Sequence, residues 1–471
     1  MSAVDAGSVI DHASTASGPD EVSRRLEALP ASTYVWRLVI LLSLGGCFEI
    51  YDLFFTGYIA PGLARSGLMT TTTQAFFGFS GIGAFVAATF AGLFIGTFCL
   101  GFLADRFGRK AIFTYSLLFY SAASVVMACQ TTPEGLLLWR FIAGIGIGIE
   151  VVTIDTYITE LVPSRIRGRA FAINQAVMLS AVPIVAALSW WLVPLSPYGV
   201  DGWRWVVLIG AAASMVIWVL RLYVPESPLW LARQGRAREA DRIIRTLEDA
   251  AGVAAAPPAA AVTTAPARAA TRSPGYAELF RPPYASLVVL FMIFNLCQAF
   301  GVYGFANWVP ALLVEKGINV TKSLQYSFII AFAYPLAPLL ASTFADRFER
   351  KWIICGAAAA IAVFGMAFSQ FTAPALLIAS GVLVTGANMT LSYAYHAYQT
   401  EVFPTAIRAR AAGLVYSMSR LSATFSGFIV AFMLKEAGVG GVFGLITAAM
   451  VIVIVAIGIW GPAVRGKPLD A

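Results

Sequence analysis

Histidine is nearly missing from this 471-residue chain, which holds only His12 and His396, and charged residues make up just 12% of it. Soluble domains carry roughly a quarter charged residues, so so low a fraction excludes an ordinary soluble enzyme. Two histidines rule out a His-based zinc site. The five cysteines (Cys47, Cys99, Cys129, Cys297 and Cys355) are odd in number, scattered and set inside apolar runs. They offer neither a disulfide framework nor a CxxC pair for a metal. No GxxxxGK[ST] phosphate loop and no nucleophile–base set appears, which removes support for primary transport and for catalysis. No cofactor and no metal is expected.

What the chain has instead is apolar length. Hydrophobic residues reach 59% and the mean hydropathy is +0.77. A bilayer core takes roughly 20 residues of helix per crossing, so twelve crossings use about 240 residues. The net charge of +7 might suggest nucleic acid as a partner, but arginine outnumbers lysine 26 to 6 and most of it sits in short clusters between apolar runs. That is how loops retained on the cytoplasmic side read, not a basic binding face. The lipid bilayer is the expected partner, with the protein a monomer.

Residues 1–33 lack an apolar core and are expected to be a flexible cytoplasmic tail, not a signal peptide. Apolar runs recur near 36–60, 79–103, 111–130, 136–160, 170–193 and 204–223, then near 285–313, 324–345, 352–370, 374–399, 411–434 and 440–461. The expected units are therefore a six-helix bundle over 34–224, a linker over 225–284, a second bundle over 285–462 and a short tail over 463–471. Within the linker, Ile243, Ile244 and Leu247 share one face of a charged helix, and the following Ala/Pro-rich stretch reads as disordered. With both termini inside, 25 of the 32 Lys and Arg fall on the cytoplasmic side or at its edge, while five fall outside. The positive-inside rule fixes that orientation.

Self-similarity is the best internal signal. DRFGRK at Asp105–Lys110 recurs as DRFERK at Asp346–Lys351, and ELVPSRIRGRA from Glu160 recurs as EVFPTAIRARA from Glu401, both at a shift of 241. Parallel repeats of this kind place a substrate site at their interface.

GFLADRFGRK, with Gly101, Asp105, Arg106, Gly108, Arg109 and Lys110, resembles the signature between helices 2 and 3 of the major facilitator superfamily. The resemblance runs from about residue 36 to 461. It implies an all-α membrane protein of twelve transmembrane helices in two pseudo-symmetric six-helix bundles, the major facilitator fold. It also implies that these residues form a cytoplasmic gate, with Asp346 and Arg347 in the second copy. There Ser342 and Glu349 replace Gly101 and Gly108, which suggests a looser second gate. Glu160 and Glu401 lie beside the PxxxRxR turns and are expected to bridge loop arginines; Arg167 and Arg408 belong to those turns. PESPLWLARQGR, Pro225–Arg236, is similar to the motif that closes helix 6 in sugar porters and related metabolite and organic-ion transporters.

Ionisable residues inside apolar helices are functional candidates by default. Glu49 and Asp52, three residues apart in FEIYDLFFTG, share a helix face and resemble the helix-1 segment of proton-coupled metabolite symporters. The alternative is that Glu49 faces a loop or is held by Arg37. Asp155 on helix 4 and His396 on helix 10 are related by the same 241 shift and complete the proton-coupling candidates. Trp139–Glu150 contains GxGxG, but inside a membrane helix, where small residues permit close packing. A nucleotide reading is therefore rejected. Arg140 in the same run resembles the family's helix-4 arginine.

Arg420 lies nine residues inside helix 11 and is suited to bidentate carboxylate recognition; its alternative is a pair with a helix-1 carboxylate. With Arg140, the substrate-binding candidates are Gln298, Tyr303, Asn307 and Trp308 of helix 7 and Tyr393 and Tyr395 of helix 10. Helix 7 and the Arg420 context resemble niacin-type and organic-ion transporters, and the hexose pattern QLS–GIN is missing. The leading expectation is a proton-coupled symporter for a small organic anion, with Asp52 and Arg420 lining one crevice between the halves. Its alternatives are a sugar or polyol porter, drug or metabolite efflux, and a transporter-like nutrient receptor. The expected location is the bacterial inner membrane.

Overall fold

A computed structural model describes residues 19–70, 74–75, 79–100, 102–253, 279–282, 284–344, 348–403 and 408–463. The expected disordered stretch, residues 1–18 and residues 464–471 lie outside the described residues. Apart from one two-residue antiparallel pair, Gln74–Ala75 with Phe79–Ser80, the described chain is built on helices.

The first half contains α1 (Pro19–Ala28), α2 (Thr33–Tyr58), α3 (Ala60–Arg65), α4 (Gly81–Leu100), α5 (Leu103–Phe107), α6 (Arg109–Ala128), α7 (Pro133–Leu161), α8 (Ser164–Leu179), α9 (Ala181–Leu192) and α10 (Gly202–Arg221). Two linker helices follow, α11 (Pro228–Arg233) and α12 (Ala237–Ala250). The second half contains α13 (Tyr284–Ala306), α14 (Val309–Glu315), α15 (Val320–Ala331), α16 (Ala333–Phe344), α17 (Arg350–Gln370), α18 (Pro374–Val402) and α19 (Arg408–Val455).

Among the described residues eleven helical segments are long and apolar enough to cross a membrane, and the last of them, Ala411–Trp460, has 50 residues. That segment crosses twice. Gly438 breaks it with φ 62° and ψ −162°, a conformation open to glycine because it has no Cβ. Val430 and Ile446 both approach Gly304, although sixteen residues of straight helix would hold them roughly 24 Å apart. The chain must double back between them, which yields the twelfth crossing where the sequence places it.

Glycine also sets the closest helix crossing in the first half. A Cβ on Gly92 would lie 2.2 Å from the Phe141 carbonyl oxygen, and one on Gly148 would lie 2.3 Å from that of Leu93. The GxGxG run is therefore a packing seam between α4 and α7. Thr97 adds a hydroxyl bond to the Gly148 carbonyl at 3.0 Å.

The duplication is visible in side-chain contacts. Arg109 holds Glu160 at 3.1 Å, and Arg350 holds Glu401 at 3.4 Å. Tyr157 donates to the Pro225 carbonyl, as Tyr398 does to that of Pro462. Lys110 donates to the Leu222 carbonyl, and Lys351 to those of Gly458 and Gly461. In every case the two donors are separated by the repeat shift. Each half thus fastens its third and fourth crossings, and the end of its sixth, by the same bonds.

The tail differs from expectation. Part of it is the ordered helix α1, whose Val22 and Leu26, with Leu29 just beyond, pack on Trp230, Leu231, Ile244 and Leu247 of the linker helices. Arg25 bonds Glu248 at 2.7 Å and Asp241 at 2.6 Å. Glu27 accepts from the Ser164 amide at 2.7 Å and from Arg167 at 3.1 Å. The segment is tied down at both ends.

Candidate functional site

On the face opposite the termini the two halves are in close contact. A Cβ on Gly57 would meet the Asn307 carbonyl oxygen at 2.2 Å, and Gly83 packs on Gly427 and Ala431. Phe54 stacks edge-on against Tyr334 at 5.2 Å, and Trp190 lies parallel to Phe328 at 5.7 Å. Deeper, Phe90 meets Tyr303 at 4.6 Å. Toward the terminal face Asp155 and His396 are exposed, each six residues from the end of its helix. A crevice therefore opens between the halves on that side.

Arg420 sits at its head. The guanidinium is 6% exposed, donates to Tyr303 Oη at 2.7 Å and to Tyr416 Oη at 3.1 Å, and lies over the Tyr416 ring. Its Nε is buried without a hydrogen-bond partner among the described residues. No carboxylate lies within ion-pair distance of it among those residues, although Glu49 and Asp155 act on it electrostatically from across the crevice. The pairing of Arg420 with a helix-1 carboxylate is thus not formed. His396 bonds the Ser392 carbonyl at 2.7 Å and packs against Tyr416 at 5.5 Å. Asp155 and His396, related by the repeat, face the same cation from opposite halves.

Asp52 does not line the crevice. Its carboxylate turns into the first half, where Arg140 Nη1 donates to it at 2.7 Å and Ser124 at 2.8 Å. Arg140 is fully buried and is satisfied three more times, by the Asp52 carbonyl at 2.7 Å, Thr56 at 2.8 Å and Thr89 at 2.8 Å. Phe55 covers its face at 4.5 Å. Every nitrogen of Arg140 is engaged, so it presents nothing to a ligand in this arrangement; its place is beside Asp52 and not among the substrate contacts. The two helix-1 carboxylates are offset by only about 60° around the helix and about 4.5 Å along it, yet each finds a different wall. Glu49 is buried, its Oε2 unpartnered among the described residues. Arg37, its alternative partner, is exposed near the other end of α2.

The remaining aromatic and amide candidates divide. Asn307 and Trp308 are buried at the contact between the halves, Asn307 against Gly57. Tyr395 is buried on Phe294 at 4.3 Å and accepts from Asn295. Gln298 is buried on α13, and Tyr393 is half-buried on α18. Tyr303 is hydrogen-bonded directly to Arg420.

At the terminal face, Arg109 bridges Asp105 at 2.6 Å and Glu160 at 3.1 Å. Gly108 has φ 100°, and a Cβ there would lie 2.3 Å from Glu226 Oε2. That carboxylate also accepts from the Lys110 amide at 3.0 Å. The DRFGRK turn is thus moulded onto the PESP segment, and Trp230 Nε1 donates to the Asp105 carbonyl at 2.7 Å. Glu349, at the equivalent place in the second half, has φ −63°; an ordinary side chain suffices there. Arg106 is exposed and stacks on Phe107. Gly101, Asp346 and Arg347 lie outside the described residues, as does the side chain of Arg408.

Two residues escaped the sequence reading. Arg221, counted there with the positive rim, is 1% exposed and pairs with fully buried Glu150. It also donates to the Phe113 carbonyl and lies 3.8 Å over the Phe113 ring. The signal was present: Arg221 follows a long unbroken apolar run. Glu226 was read only as part of a motif.

The profile described as sugar (and other) transporter matches residues 38–471. The chain belongs to that family. This transporter is 28% identical to the niacin transporter NiaP of Acinetobacter baylyi over 448 residues, covering 95% of this chain and 98% of that one. It is 26% identical to the 4-hydroxybenzoate transporter PcaK of the same organism over 411 residues, 86% of each chain. Its fold matches the partially occluded inward-open xylose transporter XylE of E. coli with a TM-score of 0.73 at 19% identity, over 93% of this chain and 100% of that one. The transporter is therefore a multi-span membrane protein of the major facilitator fold, not an enzyme.

Proposed function

We propose that this transporter moves a small organic anion, an aromatic or short-chain carboxylate, together with protons, by rocking its two halves about the crevice. The observation that carries the reading is Arg420: a buried cation held by two neutral hydroxyls, with no carboxylate in ion-pair contact among the described residues. A buried charge is costly unless compensated, and a substrate carboxylate would provide the missing anion in the bidentate geometry a guanidinium favours. A neutral sugar would leave that charge unbalanced. The aromatic acids in the names of NiaP and PcaK fit the same chemistry, and Tyr303, Tyr416 and His396 form an aromatic surround for such a ring.

Proton coupling is assigned to Asp52. When its carboxylate is protonated, Arg140 retains the Asp52 carbonyl, Thr56 and Thr89 as acceptors, so the neutral state does not orphan the arginine. Glu49, Asp155 and His396 supply further protonatable groups at the crevice. The positive rim supports both termini on the cytoplasmic side of a bacterial inner membrane, with the crevice opening inward.

Uptake into proteoliposomes of labelled nicotinate, 4-hydroxybenzoate, acetate and xylose, with and without an imposed pH gradient, tests the proposal. Gradient-driven carboxylate uptake that vanishes in Arg420→Ala is the expected result. Robust xylose uptake without carboxylate uptake, or normal carboxylate uptake by Arg420→Ala, overturns it.

A further inference from the structure

Among the buried ion pairs of the first half are Asp52–Arg140 and Glu150–Arg221, and one helix touches both. On α6, Ser124 donates to Asp52 at 2.8 Å and Ser116 donates to Glu150 at 2.9 Å. Between them stands Tyr120. Residues 116, 120 and 124 follow one another at four-residue steps, so they form a single polar stripe along the helix. Tyr120 is 1% exposed, and its hydroxyl has no hydrogen-bond partner among the described residues. It lies within electrostatic reach of Asp52 and Glu49 on α2, Glu150 on α7 and Arg221 on α10. A hydroxyl buried in this way is rare in a native fold and needs an explanation.

A cavity supplies one. Tyr51, Asp52, Tyr120, Ser121, Ser124 and Ser214 line a small pocket with about 10 Å³ of room for the centre of a water molecule. That is roughly what one water requires, and a stable buried water also needs two to four polar partners. Asp52, Tyr120 and the Ser121–Ser214 hydroxyl pair, 2.7 Å apart, provide them.

We propose that this cavity binds one water and that the water, Tyr120 and the α6 stripe form a relay that carries the coupling proton from Asp52 to Glu150, inside the first half and apart from the substrate crevice. The inference rests on Asp52 being the proton-coupling group. In the transfer, the Asp52 carboxylic acid gives its proton to the water oxygen. The water gives one of its own to the Tyr120 hydroxyl oxygen, and the Tyr120 O–H proton passes to the Glu150 carboxylate when the tyrosine swings to meet it, the two not being hydrogen-bonded in this arrangement. Asp52 ends ionised against Arg140, Glu150 ends neutral, and the water and the tyrosine are regenerated. Both arginines keep neutral acceptors throughout, the Phe113 carbonyl for Arg221 and the two threonines for Arg140. Each cation thus keeps hydrogen-bond acceptors as the proton moves, and only one of the two lacks its carboxylate at a time. Tyr120 acts here as a positioning and relay residue that never meets the substrate.

The test compares Tyr120→Phe and Ser121→Ala with the parent in proteoliposomes, reading gradient-driven accumulation and substrate counterflow separately. Counterflow needs no net proton release and reports that the variant is folded and binds substrate. The relay predicts at least a tenfold loss of accumulation in Tyr120→Phe with counterflow retained, a smaller loss in Ser121→Ala, and a larger solvent deuterium isotope effect in both. Parent-like accumulation in Tyr120→Phe overturns the relay while leaving proton coupling intact. Equal loss of counterflow in both variants also overturns it, because the stripe then serves packing. Absence of gradient-driven accumulation in the parent overturns the coupling assignment itself and the relay with it.

Discussion

The Arg140 guanidinium meets the Asp52 carboxylate at 2.7 Å and holds the backbone carbonyl of the same residue at an equal distance. One arginine thus grips both the carboxylate and the helix that carries it. Its hold on α2 survives a change in charge at the carboxylate, which is what a protonation site inside a packed bundle requires. Asp52→Asn should accordingly fold and exchange substrate, while gradient-driven accumulation falls at least tenfold. Paired counterflow and accumulation assays measure the split. Arg140→Leu should fare worse, since stranding a buried carboxylate costs about 3–5 kcal/mol, and thermal melting in detergent reads that loss.

Arg420→Lys separates charge from shape. Lysine keeps the cation but loses the planar fork and its stacking on Tyr416. Hydrogen bonds to charged groups are worth about 1.5–3 kcal/mol, so the apparent KM for a carboxylate substrate should rise by one to two orders of magnitude. The maximal rate should change less. Initial-rate uptake over a range of substrate concentrations provides both.

Gly57 abuts the Asn307 carbonyl where the halves close. Gly57→Leu should prevent that approach, because backbone cannot yield as a flexible side chain can. Spin labels at exposed Ala64 and Glu315 should then move apart by several ångströms, with transport falling in step. Unchanged distances would show that the contact is not part of the closure.

Acid should loosen α1. Partial burial raises the affinity of Glu27 for a proton, but the Ser164 hydroxyl and amide and the Arg167 guanidinium outweigh it, so its carboxyl titrates below the usual range. A depressed carboxyl contributes stability above its unfolded value, about 4.3 for glutamate, and loses that contribution as pH falls through the folded value. Hydrogen-exchange protection in residues 19–28, taken relative to the intrinsic rate at each pH, should stay constant from pH 7 to about 5 and fall below about 4.3. Glu27→Gln should show the lower protection at neutral pH.

Much of this was readable beforehand where it follows from local composition. Arg109 with Glu160, and Arg350 with Glu401, could be anticipated because the repeat places matching charges beside matching turns. The linker helix face with Ile244 and Leu247 followed from periodicity. The docking of α1 was missed although Val22, Leu26 and Leu29 carry an amphipathic spacing, because nothing nearby in sequence shows the surface they cover. Arg221 was missed because a charge at the end of an apolar run reads as a rim anchor until a buried carboxylate is found opposite it.

By itself, the sequence settled what must enter the lipid, how often, and that one half copies the other. Those are properties of runs of twenty residues, set by the transfer of apolar side chains out of water and by backbone bonds satisfied within each helix. Which carboxylate each buried arginine chose was decided only by tertiary packing. Asp52 and Glu49 have similar chemistry and adjacent positions, yet a rotation of less than one turn sends one to Arg140 and leaves the other near Arg420. That choice depends on groups 70 to 370 residues away in the chain, such as Ser124, Arg140 and Arg420, and no local pattern encodes where they arrive.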